Sequence, residues 1–307
     1  MKNLVHCMCW SAVSTLLLLA GQGAEGADGP KKILFFSKSY DFEHPMVAEK
    51  DGQPSRAQII LTELGKTNNF EFTFTKDGTV FTPENIARYD AFFFYTQGDL
   101  CVRGLDGAPP MSAEGKAAFL EAIHNGKGFI GTHSASDTSH SAGLNKMGPG
   151  RWKNDGADAD PYIKMLGGEF IIHGSQQRAR QIVVDKSFPG MSAVPDDFGP
   201  LEEWYSLKNF APDLHVLLVQ DTSNMDKQGG NEHAYDRPNY PSTWVHRYGK
   251  GRVFFTSMGH RDDVWTNPVF QQVLIGGINW ALGNVKADIR PNLKKAAPEA
   301  NVLPPAP

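Results

Sequence analysis

Three histidines stand in separate polar loops of this chain: His44, His133 and His260. Imidazole titrates near neutrality, so two rings in one site can take and give a proton. On that reading His133 and His260 are an acid–base pair, and Asp137 and Glu203 are the carboxylates beside them. On a second reading His44, His133 and His260 bind a divalent metal such as zinc, which suits three imidazoles with an open position. Neither an H-E-x-x-H segment nor a paired-Cys spacing occurs, so a metal site must be assembled from distant loops. The plainest reading is of turn histidines bonded to backbone carbonyls. Gln97, His173, Trp204, Tyr205, Arg261, Asp263 and His44 are the candidates for holding a substrate. Carboxylates and amides accept or donate hydrogen bonds, and aromatic faces cover C–H surfaces. Trp265 is a further aromatic candidate, whereas Trp280 falls on a helix and belongs to the core.

These residues need a frame that gathers them. Lys32–Phe36, Ala91–Tyr95 and Gly128–Gly131 are short, nearly continuous apolar runs, and Phe70–Thr75 alternates. Between them, Arg56–Leu64 has helical spacing before Gly65, and Ser112 caps a helix whose Ala117, Phe119, Leu120 and Ile123 face inward. Continuous apolar strands separated by helices predict a parallel sheet covered on both faces. Further strands are expected at 181–184, 216–219, 243–246 and 252–256, with a last helix from Pro268 to Trp280. The stretch from 150 to 245 reads as irregular or antiparallel. Open parallel sheets bind ligands beyond the carboxyl ends of their strands. His44, Gln97, His133 with Asp137, and His260 with Arg261 to Asp263 all fall just past such strands. His133 also sits in Gly131-Thr132-His133-Ser134-Ala135, which reads as a tight strand-to-helix turn that lifts its tip residue clear of the sheet.

Composition narrows the rest. The chain has 307 residues, 40% hydrophobic and 21% charged, with a formal charge of −4, so it is an ordinary globular sequence rather than a disordered one. Without a basic tract, nucleic acid is not an expected partner. Residues 1–27 run from a charged start through Leu16–Ala20 to small residues, the pattern of a secretory signal peptide. A secreted or periplasmic location is expected, with no stable membrane span after cleavage. Of three cysteines only Cys101 lies beyond this segment, and it reads as a small buried hydrophobe. Residues 31–285 are expected to form the folded domain, and 286–307, rich in proline, a solvated flexible tail.

The motifs have a specific order. Gly131-Thr132-His133-Ser134-Ala135-Ser136-Asp137-Thr138 precedes Leu166-Gly167-Gly168-Glu169-Phe170 with His173. Glu202-Glu203-Trp204-Tyr205 follows, then Gly251-Arg252-Val253-Phe254-Phe255-Thr256-Ser257-Met258-Gly259-His260, then Gly277-Ile278-Asn279-Trp280-Ala281. This series resembles the ThuA-like family, named for a trehalose-utilisation protein, over nearly all of residues 31–283. The resemblance implies a class I glutamine amidotransferase-like fold, a flavodoxin-like three-layer α/β sandwich with a mostly parallel sheet. It also implies carbohydrate metabolism, with a small-molecule sugar or glycoside as partner. In amidotransferases of that fold the elbow carries Cys, completed by a later His and Glu. Here His133 takes the Cys position, and His260 with Asp262 or Asp263 looks like the displaced His and acid, so glutaminase activity is not implied. Glu202 stands where the family usually has Asp, and Met225–Tyr240 reads as an extended loop. Two function classes follow. One is an exported enzyme acting on a sugar or sugar derivative, as a hydrolase or isomerase, by acid–base or metal-assisted chemistry. The other is a non-catalytic sugar-binding or scaffold protein that has lost the nucleophile. The oligomeric state is left open, a homo-oligomer included.

Overall fold

In a computed structural model of the chain, residues 29–105, 107–143, 148–227 and 233–306 are described. The expected signal segment lies outside them. The apolar runs become strands because both of their faces are covered. The first half supplies β1 (Lys31–Phe36), β2 (Phe70–Thr75), β3 (Ala91–Phe94) and β4 (Gly128–Thr132). The second half supplies β5 (Glu169–His173), β6 (Gln177–Arg178), β7 (Gln181–Val183), β8 (Leu201–Glu202) and β9 (Tyr205–Lys208). It ends with β10 (His215–Gln220), β11 (Tyr240–Tyr248) and β12 (Gly251–Thr256).

Among the described residues, eight strands form one sheet in the order β2-β1-β3-β4-β12-β11-β10-β7. The five from β2 to β12 are parallel, with Phe93 beside Ile130 and Val253 beside Phe129. The last three strands alternate in direction, as expected of the 150–245 region. Ile33, Phe35, Phe93, Ile130 and Phe254 pack in one core with the helices Arg56–Asn68 and Pro268–Leu282. Leu34, Phe36, Phe92, Phe94, Phe129, Val253 and Phe255 pack in the other with Ala113–His124 and Pro161–Leu166. This is the α/β sandwich that the strand pattern predicts, with the flavodoxin-like, mostly parallel sheet that the resemblance implies.

Three local expectations are corrected. The first helix passes Gly65 and ends at Asn68, where Asn69 adopts the left-handed cap. Gly65 is there for packing: a Cβ would lie 2.7 Å from the Phe70 carbonyl oxygen. Cys101 is exposed rather than buried, because its N–H donates to Asp99 at 2.8 Å in a surface turn. The Pro-rich end is docked rather than solvated. β7 pairs only with residues 218–220 of β10, which leaves the start of β10 uncovered. Asn292 fills that place, accepting from the Val216 N–H at 2.6 Å and donating to the Val216 carbonyl at 3.1 Å. Leu293, Ala297 and Ala300 are buried behind it, and Arg237 Nη2 donates to the Ala300 carbonyl at 2.6 Å. We therefore expect Leu293→Asp to cost about 2–3 kcal/mol and lower the melting temperature by several degrees. An unchanged thermal unfolding curve would show that the docking contributes nothing.

Candidate functional site

The chain leaves β1 to β2 on one side and returns to β3 on the other, so a crevice opens where β1 and β3 end. His44 and Gln97 stand in this crevice, and His133 and His260 follow β4 and β12 beside it. His133 has φ +45°, a left-handed conformation rare for a residue with a Cβ, so the turn holds it under strain. Its Nδ1 lies 3.0 Å from the Ser257 carbonyl oxygen, which can only accept. Nδ1 therefore carries the proton, and in the neutral ring Nε2 presents a lone pair. That Nε2 is 3.2 Å from His260 Nδ1 and 3.5 Å from Glu203 Oε2. His260 Nδ1 is itself 3.1 Å from the same Glu203 oxygen. His44 completes the group, with one ligating atom from each of His44, His133, Glu203 and His260 lying within 4.8 Å of the others.

The surrounding elements fix these rings. Gly259 turns the chain into His260 with φ +125°, which disfavours any side chain there. Its carbonyl accepts from Tyr95 OH at 2.8 Å and from Trp265 Nε1 at 2.7 Å. Glu202 accepts from the Gly259 and His260 N–H groups at 2.8 and 3.2 Å. Burial raises its pKa, and the His133 ring and the Gly259 N–H only partly offset this. Tyr205 presses on His133, ring centroids 4.1 Å apart, and its OH is 3.3 Å from His44 Nε2. His44 Nδ1 is buried without a hydrogen-bond partner among the described residues. Burial, reinforced by the two neighbouring imidazoles, pushes the His44 pKa well below its ordinary value, so the ring is neutral at pH 7. Burial alone would raise the Glu203 carboxyl. The His133 and His260 rings outweigh it and hold Glu203 well below the usual carboxylate range.

A cavity of about 450 Å³ opens against His44 and Glu203. Asp137, Gln97, His173 and Tyr205 line it, as do Asp41, Phe42, Arg151 and Phe170. Gln97 is a brace: its Oε1 accepts from the Asp41 and Phe42 N–H groups, and its Nε2 donates to Asp137 at 2.9 Å. Asp137 also meets His140 at 2.6 Å, and the far nitrogen of His140 lies 3.1 Å from the buried Glu169. His173 stacks on Tyr205 and lies 3.6 Å from Glu203 Oε1. A separate, more open cleft is lined by His260 itself, with Gln176, Arg261 and Asp263.

The structure thus brings together His44, His133, His260, Glu203 and Tyr205, with Asp137, Gln97 and His173 at the cavity wall. It separates others. Trp204 is fully buried and its Nε1 donates to the Gln177 carbonyl at 3.0 Å, so it offers no face to a ligand. Trp265 is likewise buried, stacked on Tyr95. Asp263 pairs with Arg261 at 2.8 Å and Asp262 with Arg56 at 2.7 Å, both on the surface. Neither is the acid partner of His260; Glu203 is. Arg261 donates to Gln176 Oε1 at 2.6 Å and sits outside the main cavity. Sequence reading missed Arg151, whose guanidinium lies 4.9 Å from the Phe170 ring centroid and bonds the Ile171 carbonyl. It comes from a short 3-10 turn without periodic pattern, so only the fold places it.

The comparisons agree with this architecture. A solved ThuA-like protein of Bacteroides uniformis superposes with a TM-score of 0.61 at 20% identity, covering 89% of this chain and all of that one. One from Parabacteroides merdae gives 0.53 at 19% identity, covering 87% of this chain and 96% of that one. At such identities the likeness shows the fold. No curated protein sequence matches. The family model described as "ThuA: Trehalose utilisation" matches residues 32–281, which include every residue of the His44–His133–Glu203–His260 centre, and on that match the chain belongs to the ThuA family.

Proposed function

We propose that this protein is an enzyme of carbohydrate metabolism that acts on a sugar or sugar derivative at the His133–His260–Glu203 centre. One observation carries the reading: His260 Nδ1 lies within 3.2 Å of both His133 Nε2 and Glu203 Oε2, and Glu203 lines the cavity. A proton on that nitrogen is shared between an imidazole lone pair and a carboxylate, which is the arrangement a general acid–base step needs. The cavity walls suit a polyol. Asp137 and Glu203 offer acceptors for hydroxyl groups, Arg151 offers donors, and Phe42 and Phe170 offer apolar faces. The tip of the elbow is His133, which supports acid–base work rather than the thiol acyl transfer of a glutaminase. The charged, apolar and small-residue order of residues 1–27 supports export to a secreted or periplasmic location.

Calorimetry over a panel of sugars and oxidised sugars, with product analysis of each mixture, tests the reading. A ligand that binds and is converted is expected. Binding without conversion across the panel would make the protein a sugar-binding module instead. Binding of none would remove the sugar reading altogether. For export, N-terminal sequencing of the mature protein should begin between Ala24 and Asp28; a mature chain starting at Met1 would contradict it.

A further inference from the structure

We infer that His44, His133, His260 and Glu203 form a binding site for one divalent transition-metal ion of the zinc class. The inference rests on the site just described but on no particular substrate. The distances carry it. A tetrahedral ion with bonds of about 2.0–2.1 Å holds its ligand atoms about 3.3 Å apart. The three edges among His133 Nε2, His260 Nδ1 and Glu203 Oε2 are 3.2, 3.1 and 3.5 Å. Three atoms from three separate loops thus already form one face of such a tetrahedron. His44, from a fourth, places its ligating atom within 4.8 Å of them, close enough to bind or to leave one position open.

Hydrogen bonding within the chain accounts for this arrangement less well. In the neutral His133 ring, whose one proton lies on Nδ1 toward the Ser257 carbonyl, Nε2 and Glu203 Oε2 are both lone-pair atoms. Two acceptors at 3.5 Å repel unless positive charge lies between them. One His260 proton can serve them only as a divided bond, and it leaves the buried His44 Nδ1 without a partner. A cation at the centre serves the whole set. The outer contacts also follow the pattern of a metal site, in which a ligating imidazole gives its other N–H to a backbone carbonyl. His133 does so to Ser257 at 3.0 Å. At His260 the outer contact is the Gln176 Nε2 amide, 3.0 Å from His260 Nε2, whose Oε1 accepts from Arg261 at 2.6 Å; an ion on Nδ1 puts the His260 proton on Nε2 and displaces this exposed amide. Three imidazoles with one carboxylate select zinc-like ions over Mg²⁺, which prefers an all-oxygen shell.

The test uses the whole chain, stripped with a chelator and shown to be folded by thermal melting. It is titrated with Zn²⁺ alone by calorimetry, and bound metal is counted by mass spectrometry. One Zn²⁺ per chain is expected, with Mg²⁺ neither binding nor competing. Glu203→Gln and His260→Ala should each weaken Zn²⁺ binding about a hundredfold or more, and His233→Ala, at an exposed side chain, should not. Glu203→Gln keeps the side-chain shape, so it remains readable if a histidine variant fails to fold. No Zn²⁺ binding by the folded, stripped protein would overturn the inference, as would equal affinity in wild type, Glu203→Gln and His260→Ala. Conversion of a sugar by a protein that binds no Zn²⁺ would remove the metal and keep the enzyme reading. One-to-one Zn²⁺ binding lost in those variants, with no sugar ligand in the panel, would do the reverse.

Discussion

His260→Ala should lower turnover, or ligand affinity where turnover is not yet measured, by about a hundredfold or more, with the melting temperature nearly unchanged. The His260 side chain is 12% exposed and borders an open cleft, so truncation admits water instead of leaving a void. What it removes is the nitrogen between Glu203 and His133. His133 needs a different substitution. It is fully buried at φ +45°, and Ala there adds backbone strain to the lost imidazole. Asn tolerates the left-handed conformation, so His133→Asn isolates the ring chemistry. Rates and melting curves of the two variants decide the matter together. If both melt early while the folded fraction keeps its ligand affinity, these are structural turn histidines and the centre has no chemical role.

The parallel half of the sheet was legible because its strands are buried on both faces and so read as continuous apolar runs. Residues directly after such strands must gather at one edge, and that topology alone predicted that His133 and His260 would meet. The identity of the acid was not legible in the same way. Asp262 and Asp263 are His260's neighbours in sequence, but the short helix they begin turns both carboxylates to surface arginines. Glu203 reaches His260 from the connection between β8 and β9, a contact without a local signal. Trp204 misled for a related reason: composition gives an aromatic residue beside Glu203, but the alternation of the extended chain puts neighbouring side chains on opposite faces. Glu203 and Tyr205 therefore face the cavity while Trp204 enters the core. The docked end was illegible because proline and lysine suggest solvation, whereas the uncovered start of β10 is a property of the assembled sheet.

Glu169→Gln should be the most destabilising of the isosteric changes, at about 2–3 kcal/mol, because it takes one of two carboxylates from each buried cation, leaving Lys208 only Asp155 at 2.8 Å and His140 only Asp137 at 2.6 Å. Glu169 is 1% exposed and accepts from Ser141 Oγ and Asn209 Nδ2, each at 2.6 Å. It also lies 3.1 Å from His140 Nδ1 and 3.7 Å from the buried Lys208 ammonium. Burial disfavours both charged forms, but the partners prevail: the His140 pKa is raised above 6.5 and the Glu169 pKa lowered below 4.5. The signs then set a pH window. The His140 contribution is complete below 6.5 and is lost as pH rises through its folded pKa. The Glu169 contribution is complete above 4.5 and is lost as pH falls through its folded pKa. Between about 4.5 and 6.5 both are present, so Glu169→Gln should lower the melting temperature most there and less at either extreme. A melting-temperature deficit that does not change with pH would mean that packing, not charge, makes Glu169 matter. The consequence reaches the cavity, because the other nitrogen of His140 holds Asp137 at 2.6 Å. Weaker ligand binding in Glu169→Gln, greatest where the stability loss is greatest, would tie this buried network to the positioning of Asp137.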